Sequence, residues 1–339
     1  MKTDSNKPIE VTVIVPCLNE ENTIRLLLNA INRQTYPREK MEVVICDAFS
    51  TDRTREKVRQ FAEDHPELAI RILDNERRTI PAAINTAAEA ARGEYLVRMD
   101  AHSIPNEKYI EVSLEILKSG IAENVGGIWE IHPGSDTCIS RSIAKTVSHP
   151  LGAGDAKYRI SLKSEYADTV PFGAFRKDQF LSLGGFDESL RANEDYEFNT
   201  RLRKSGGRIW LDTRIRSVYY ARQNIKELAC QYWRYGFWKF KMLCRHPSSL
   251  QFRQALPPIF LSMILLLAVL SFFVPFARII LGAGLSFYLL ILISASLAEV
   301  VKKRDICLMN MTIAFMVVHF SWGGGFLFSL FRSLFINNY

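Results

Sequence analysis

Cysteine is sparse and unpatterned in this chain of 339 residues: Cys17, Cys46, Cys138, Cys230, Cys244 and Cys307 nowhere form a CxxC spacing. The scatter argues against a zinc site and against a disulfide framework, and it predicts reduced, buried thiols. An apolar leader is also absent. Met1-Lys2-Thr3-Asp4-Ser5-Asn6-Lys7-Pro8 has no hydrophobic segment, so no secretory signal is read there and the domain that follows is expected to stay in the cytoplasm. Internal repeats and low-complexity tracts are missing too.

Charge is what the last quarter lacks. A composition of 48% hydrophobic and 23% charged residues leaves enough apolar sequence for a full globular core and more. Up to about Ser249 charged and apolar residues mix as in a soluble domain. By contrast, Leu256 to Phe276, Ile279 to Ala298 and Ile306 to Phe331 are almost free of charge, and each is long enough to span a bilayer. Much of the formal net charge of +7 lies in Arg214 to Arg253, ahead of the first apolar run. There Lys226, Arg234, Lys239, Lys241 and Arg245 alternate with Tyr232, Trp233, Tyr235, Phe237, Trp238 and Phe240. That composition suits anionic lipid headgroups and an interfacial aromatic belt. Stacking on single-stranded RNA is the competing use; the neighbouring membrane span disfavours it, and no nucleic-acid partner is expected.

The first hundred residues alternate strand and helix patterns. Val11 to Pro16 is a continuous apolar strand, and the helix after it places Ile24, Leu27, Leu28 and Ile31 on one face. Met41 to Cys46 predicts a second strand ending in Asp47, and Ala69 to Leu73 a third. Pro81 opens an alanine-rich helix, which Gly93 stops before a fourth strand, Glu94 to Met99. Such alternation predicts an α/β fold with a mostly parallel sheet covered by helices.

Open α/β sheets bind ligands beyond the carboxyl ends of their strands. After the first strand come Asn19, Glu20 and Glu21; after the second, Asp47, Ser50, Thr51 and Asp52; after the fourth, Asp100-Ala101-His102. Asp100 and His102 could reach one divalent cation there, and Asp47 could accept from a base N–H or a ribose hydroxyl. Each residue alone reads better as an ordinary helix cap; their joint placement at successive strand ends does not. Arg78 is a candidate phosphate contact, with a solvated surface arginine as the alternative.

Val13-Ile14-Val15-Pro16-Cys17-Leu18-Asn19-Glu20-Glu21, Cys46-Asp47-Ala48-Phe49-Ser50-Thr51-Asp52 and Arg98-Met99-Asp100-Ala101-His102 resemble the successive nucleotide-sugar motifs of family 2 glycosyltransferases with the GT-A fold. Pro171 to Phe175, Gly184 to Glu188 and Asn193-Glu194-Asp195-Tyr196-Glu197 extend the resemblance over about residues 9 to 245, with details most similar to the membrane-bound succinoglycan and exopolysaccharide glucosyltransferase branch. The resemblance implies an inverting transfer of a hexose, glucose first among them, from a nucleotide sugar of the UDP type to a lipid-linked or polysaccharide acceptor. It implies that Pro16, Asn19, Glu20, Asp47, Arg78 and Asp100 bind the donor, and that Asp100 and His102 hold a metal diphosphate. Asp195 would be the catalytic base and Glu194 would lie on the acceptor side. His102 departs from the usual acidic DxD pattern, and imidazole suits Mn²⁺ better than Mg²⁺. Gln231-Tyr232-Trp233-Arg234-Tyr235 resembles the QxxRW motif of processive members, with Tyr235 in place of Trp. Gln231 and Arg234 would then hold acceptor or diphosphate, and the replacement points to addition of one sugar per acceptor.

The expected organisation is a GT-A catalytic domain over 1–224, an amphipathic interfacial segment over 225–252 and a membrane domain of about three helices over 253–339. Lys302-Lys303-Arg304 and the Arg253 side of the first span both belong inside by charge, giving a multi-pass cell (inner) membrane protein with a cytoplasmic catalytic domain. The third span leaves the C-terminus outside unless Gly323-Gly324-Gly325 breaks it. His319 reads as a partner in an interhelical hydrogen bond. Two alternatives remain: a non-catalytic membrane sugar-nucleotide binder, and a nucleotidyltransferase. The second would need a glycine-rich basic loop where Cys17-Leu18-Asn19-Glu20-Glu21 stands.

Overall fold

In the computed structural model, residues 8–154 and 156–335 are described; residues 1–7, most of the stretch read as lacking a leader, lie outside them. One mixed sheet of nine strands carries the catalytic unit. Its strands are β1 (Val11–Cys17), β2 (Met41–Asp47), β3 (Ala69–Asp74), β4 (Tyr95–Arg98), β5 (Ile104–Pro105), β6 (Asn124–His132), β7 (Glu165–Tyr166), β8 (Ala174–Arg176) and β9 (Ile209–Tyr220). Their order is β3-β2-β1-β4-β8-β6-β9-β5, with β7 also paired to β9. The half from β3 to β4 is parallel. From β8 onward the recorded pairings are antiparallel.

The parallel half forms for the reason its sequence suggests. Every residue of β2 is buried, and Val11, Val13 and Val15 pack in one cluster with Ile24, Leu27, Leu28 and Ile31 of α1 (Ile24–Asn32). Two helices follow β2 and β3: α2 (Thr54–Asp64) and α3 (Ile80–Ala90), the latter capped by Thr79. Next comes α4 (Tyr109–Lys118), whose Tyr109, Ile110 and Leu114 join the same core. Gly93 turns the chain into β4 where a Cβ would lie 2.6 Å from the Val11 carbonyl carbon, so only glycine fits.

The remaining helices are α5 (Cys138–Val147), α6 (Pro150–Ala153), α7 (Lys157–Ile160), α8 (Lys177–Ser182), α9 (Glu194–Lys204), α10 (Ile225–Arg245), α11 (Phe252–Leu270), α12 (Pro275–Lys303) and α13 (Met311–Phe335). Two compact units emerge, one from residues 1–130 and 161–219, the other from 131–160 and 220–339. The segment 131–160, which a linear reading assigns to the catalytic domain, thus packs with the C-terminal helices. Among the described residues, three helical stretches are long and apolar enough to cross a membrane: Phe252–Leu270, Pro275–Lys303 and Ile306–Phe335.

Within the second unit α13 runs unbroken through Gly323-Gly324-Gly325. These glycines are a packing surface: a Cβ on Gly325 would sit 2.1 Å from the Trp233 carbonyl oxygen, and one on Gly236 the same distance from that of Trp322. Helices α10 and α13 therefore approach backbone to backbone, as small residues permit. His319 donates from Nε2 to the Leu151 carbonyl (2.7 Å), and its Nδ1 pairs with the Tyr288 hydroxyl (2.9 Å), as an interhelical connector does. Two expectations are corrected. Cys138 and Cys307 form a disulfide across 169 residues with Cα atoms 4.8 Å apart, while Cys230 and Cys244 are exposed; only Cys17 and Cys46 are buried free thiols. The turn before α13 brings Cys307 against α5, a proximity that spacing could not show. Lys239, read as a headgroup contact, is instead fully buried, donating to the Ser249 carbonyl at 3.0 Å.

Candidate active site

The loops after β1 and β2 are clipped together. Asn19 takes a left-handed conformation (φ 53°), donates its N–H to Ser50 Oγ (2.8 Å) and accepts from the Thr51 N–H at Oδ1 (2.8 Å). The Glu20 N–H donates to Thr54 Oγ1 at 2.8 Å. Non-glycine residues at positive φ are costly and collect where a site imposes them. Phe49 (φ 62°), Arg78 (φ 52°) and Asn193 (φ 65°) are three more, in the loop after β2, the loop after β3 and the turn into α9; Phe172 and Arg304 are the others among the described residues.

Asp47 is buried, and its carboxylate already accepts from the Ser50 N–H (3.0 Å) and Arg55 Nε (2.5 Å). Arg55 also reaches Asp74. The exposed Phe49 ring lies between Arg55 and Arg78, whose guanidinium carbons are 5.7 and 5.3 Å from its centroid. Three side chains of alternating cationic and aromatic character thus line the ends of β2 and β3. Pro16 is half-buried at the end of β1.

At the end of β4, His102 Nδ1 lies 3.1 Å from Glu20 Oε1. Asp100 is half-buried, and its Oδ1 faces Arg98 Nε at 3.1 Å. Arg98 is the last residue of β4 and is itself buried. Its Nη2 reaches Glu194 Oε1 at 3.2 Å, and the Phe186 ring lies 5.6 Å away. Burial opposes the charge on Arg98, but Asp100, Glu194 and Asp195 outweigh it and raise its pKa.

Asn193 turns the chain into α9, so Glu194 and Asp195 occupy the first turn. Burial and the neighbouring Glu194 push the Asp195 carboxyl up to about 6, with Arg98 acting in the opposite sense. Asp195 Oδ1 accepts from the Tyr196 N–H at 2.7 Å, and the Tyr196 hydroxyl donates to Asp168 at 2.7 Å. Arg201 of α9 donates to the Gly185 carbonyl (2.6 Å), and Asn85 donates to Glu188 (3.0 Å), fixing the loop that carries Phe186.

Sequence reasoning named Asp100, His102, Glu20 and Asp195; the structure pairs Glu20 with His102 and, through Arg98, Asp100 with Glu194, the neighbour of Asp195. It missed Arg98 itself, for which a lone arginine in an apolar strand was the available signal. It also missed the roles of Arg55, Phe49 and Asp168. Gln231 and Arg234 lie on α10 in the other unit: Gln231 is buried and donates to the Tyr235 hydroxyl (3.0 Å), while Arg234 is exposed. Among the described residues no group of three His, Cys, Asp or Glu side chains could enclose a metal ion. Asp100 and His102, two residues apart after β4, are oxygen and nitrogen donors of the kind a divalent cation takes when phosphate oxygens supply its other ligands.

A mixed sheet with polar groups on the ends of β1, β2 and β4 and an acidic helix start is the architecture of a transferase of the GT-A class. The family model for glycosyl transferase family 2 matches residues 12–181, and the chain belongs to that family. It is 33% identical over 259 residues to the succinoglycan biosynthesis protein ExoA of Rhizobium meliloti (strain 1021), covering 76% of this chain and 77% of that one. It is 29% identical to a dolichyl N-acetyl-alpha-D-glucosaminyl phosphate 3-beta-D-2,3-diacetamido-2,3-dideoxy-beta-D-glucuronosyltransferase of Methanococcus voltae, over 69% of this chain and 74% of the relative. The mannosyltransferase PcManGT of Pyrobaculum calidifontis, solved with GDP-Man and Mn²⁺, shares the fold with a TM-score of 0.65 and 21% identity, over 99% of this chain and 90% of that one. The chain is thus a glycosyltransferase, and the nucleotidyltransferase and non-catalytic readings are set aside.

Proposed function

We propose that this chain is an inverting hexosyltransferase that moves a sugar, glucose first among the candidates, from a UDP-sugar to a lipid-linked or polysaccharide acceptor. It acts at the cytoplasmic face of the cell membrane, in exopolysaccharide or cell-surface glycan synthesis. The observation that carries the reading is the acidic first turn of α9, Glu194 and Asp195, tied to the Asp100 strand end by the Arg98–Glu194 and Arg98–Asp100 ion pairs. A carboxylate of pKa about 6 is a better proton acceptor than an ordinary one. Asp195 takes the proton of the acceptor hydroxyl late, as that oxygen attacks the anomeric carbon opposite the leaving group, and direct displacement inverts the centre.

Pro16, Asn19, Glu20 and Asp47 stand on the nucleoside side, with Arg78 toward the phosphates. Asp100 and His102 would hold a divalent cation, Mn²⁺ before Mg²⁺, which when bound supplies charge for the departing diphosphate. Glu194, Gln231 and Arg234 are assigned to the acceptor and diphosphate side. The solved relative's GDP-Man and Mn²⁺ and the exopolysaccharide and dolichyl-linked roles in the relatives' names support donor, cation and acceptor classes. The three apolar helices support a multi-pass anchor, with Lys302-Lys303-Arg304 inside. Membranes carrying the protein, incubated with a panel of sugar nucleotides and a lipid-linked acceptor, should release nucleoside diphosphate from a UDP-hexose and give a product of inverted anomeric configuration. Retained configuration would overturn the reading.

A further inference from the structure

Arg98 is a charged residue at the end of a buried strand, and neither donor nor acceptor chemistry requires it to touch substrate. We propose that Arg98 is a positioning residue that links the two halves of the site, its guanidinium shared between Asp100 and Glu194 so that a divalent cation arriving at Asp100 competes with it there. The proposal rests on the reading of Asp100 as cation ligand and Asp195 as base.

The geometry separates this role from plain structural support. Arg98 uses different nitrogens for its two partners, Nε toward Asp100 Oδ1 (3.1 Å) and Nη2 toward Glu194 Oε1 (3.2 Å), while the Phe186 ring packs near the guanidinium. One side chain therefore contacts the loop that takes the diphosphate and the helix turn that presents Asp195. The signs of its two effects differ. Toward a cation at Asp100, the guanidinium is a like charge occupying one of two carboxylate oxygens, so it weakens binding. Toward Glu194 it is the anchor that holds the first turn of α9 in place, and with it Asp195. Loss of Arg98 should therefore tighten cation binding and slow transfer. A merely structural arginine would lose both together.

The test uses full-length protein in detergent, with folding checked by circular dichroism. Binding of Mn²⁺ alone is followed by the electron paramagnetic resonance of the free ion, and turnover by nucleoside diphosphate release. Arg98→Met should bind Mn²⁺ about tenfold more tightly, while kcat falls roughly 10²-fold and donor KM changes less than about threefold. Arg98→Lys keeps the charge without the fork, so it should bind Mn²⁺ like wild type and recover at least about tenfold of the lost kcat. If Arg98→Met does not fold because Glu194 is left buried without its partner, Arg98→Met/Glu194→Gln removes that carboxylate, and the tighter Mn²⁺ binding must appear in it. Unchanged or weaker Mn²⁺ binding in a folded variant would overturn the proposal. Failure of the underlying reading looks different: Asp100→Ala would then match wild type in both Mn²⁺ binding and turnover.

Discussion

His102 Nδ1 and Glu20 Oε1 lie 3.1 Å apart, joining the loop after β4 to the loop after β1. A carboxylate on an imidazole nitrogen fixes ring orientation, the arrangement that supports metal-binding histidines. His102→Asp, which restores an acidic third position, should shift the metal preference from Mn²⁺ toward Mg²⁺. Glu20→Ala should weaken cation-dependent donor binding by about 10-fold or more. Titrations of donor binding with each metal check both, and full activity in excess chelator would contradict them.

The raised pKa of Asp195 fixes a pH profile. The base must be deprotonated, so kcat/KM should fall about tenfold per pH unit below about 6 and level off above it. Stability should move the other way. The native state holds this proton to higher pH than the unfolded chain does, so the group's contribution to stability declines as pH rises from the ordinary carboxylate range through about 6. Rate profiles and denaturation midpoints between pH 4.5 and 8 measure both trends, and an acid limb below pH 5 would contradict the assignment.

Glycines in the second unit divide into two kinds. A Cβ on Gly236 would meet the Trp322 carbonyl at 2.1 Å, whereas Gly282 and Gly284 have nothing within 4 Å. Gly236→Ala should therefore cost about 1–3 kcal/mol by forcing α10 away from α13. Gly282→Ala should be neutral or stabilise by up to about 1 kcal/mol. Thermal unfolding in detergent compares them, and equal behaviour would contradict the backbone-to-backbone packing of α10 on α13.

The parallel half of the sheet was legible because each strand is an apolar run that ends in polar residues, and burial there leaves little else for such runs to do. The antiparallel half was not. β5, β7 and β8 are two or three residues long, too short to show an alternation. At the site, Asp100 and Asp195 were visible as residues but the link between them was not, because Arg98 and Glu194 are 96 positions apart and only packing brings them together. Lys239 misled for a related reason: among aromatic neighbours a lysine reads as interfacial, and nothing local marks the Ser249 carbonyl that it meets.

The central claim is that Asp195 is the base that accepts the acceptor's proton. Asp195→Asn keeps the size and most of the hydrogen bonding of the side chain but cannot take that proton. Donor affinity, measured by titration of the purified variant, is compared with its rate of sugar transfer. Affinity near that of wild type with transfer reduced by roughly 10²-fold or more is the predicted result, whereas transfer at a near wild-type rate would contradict it.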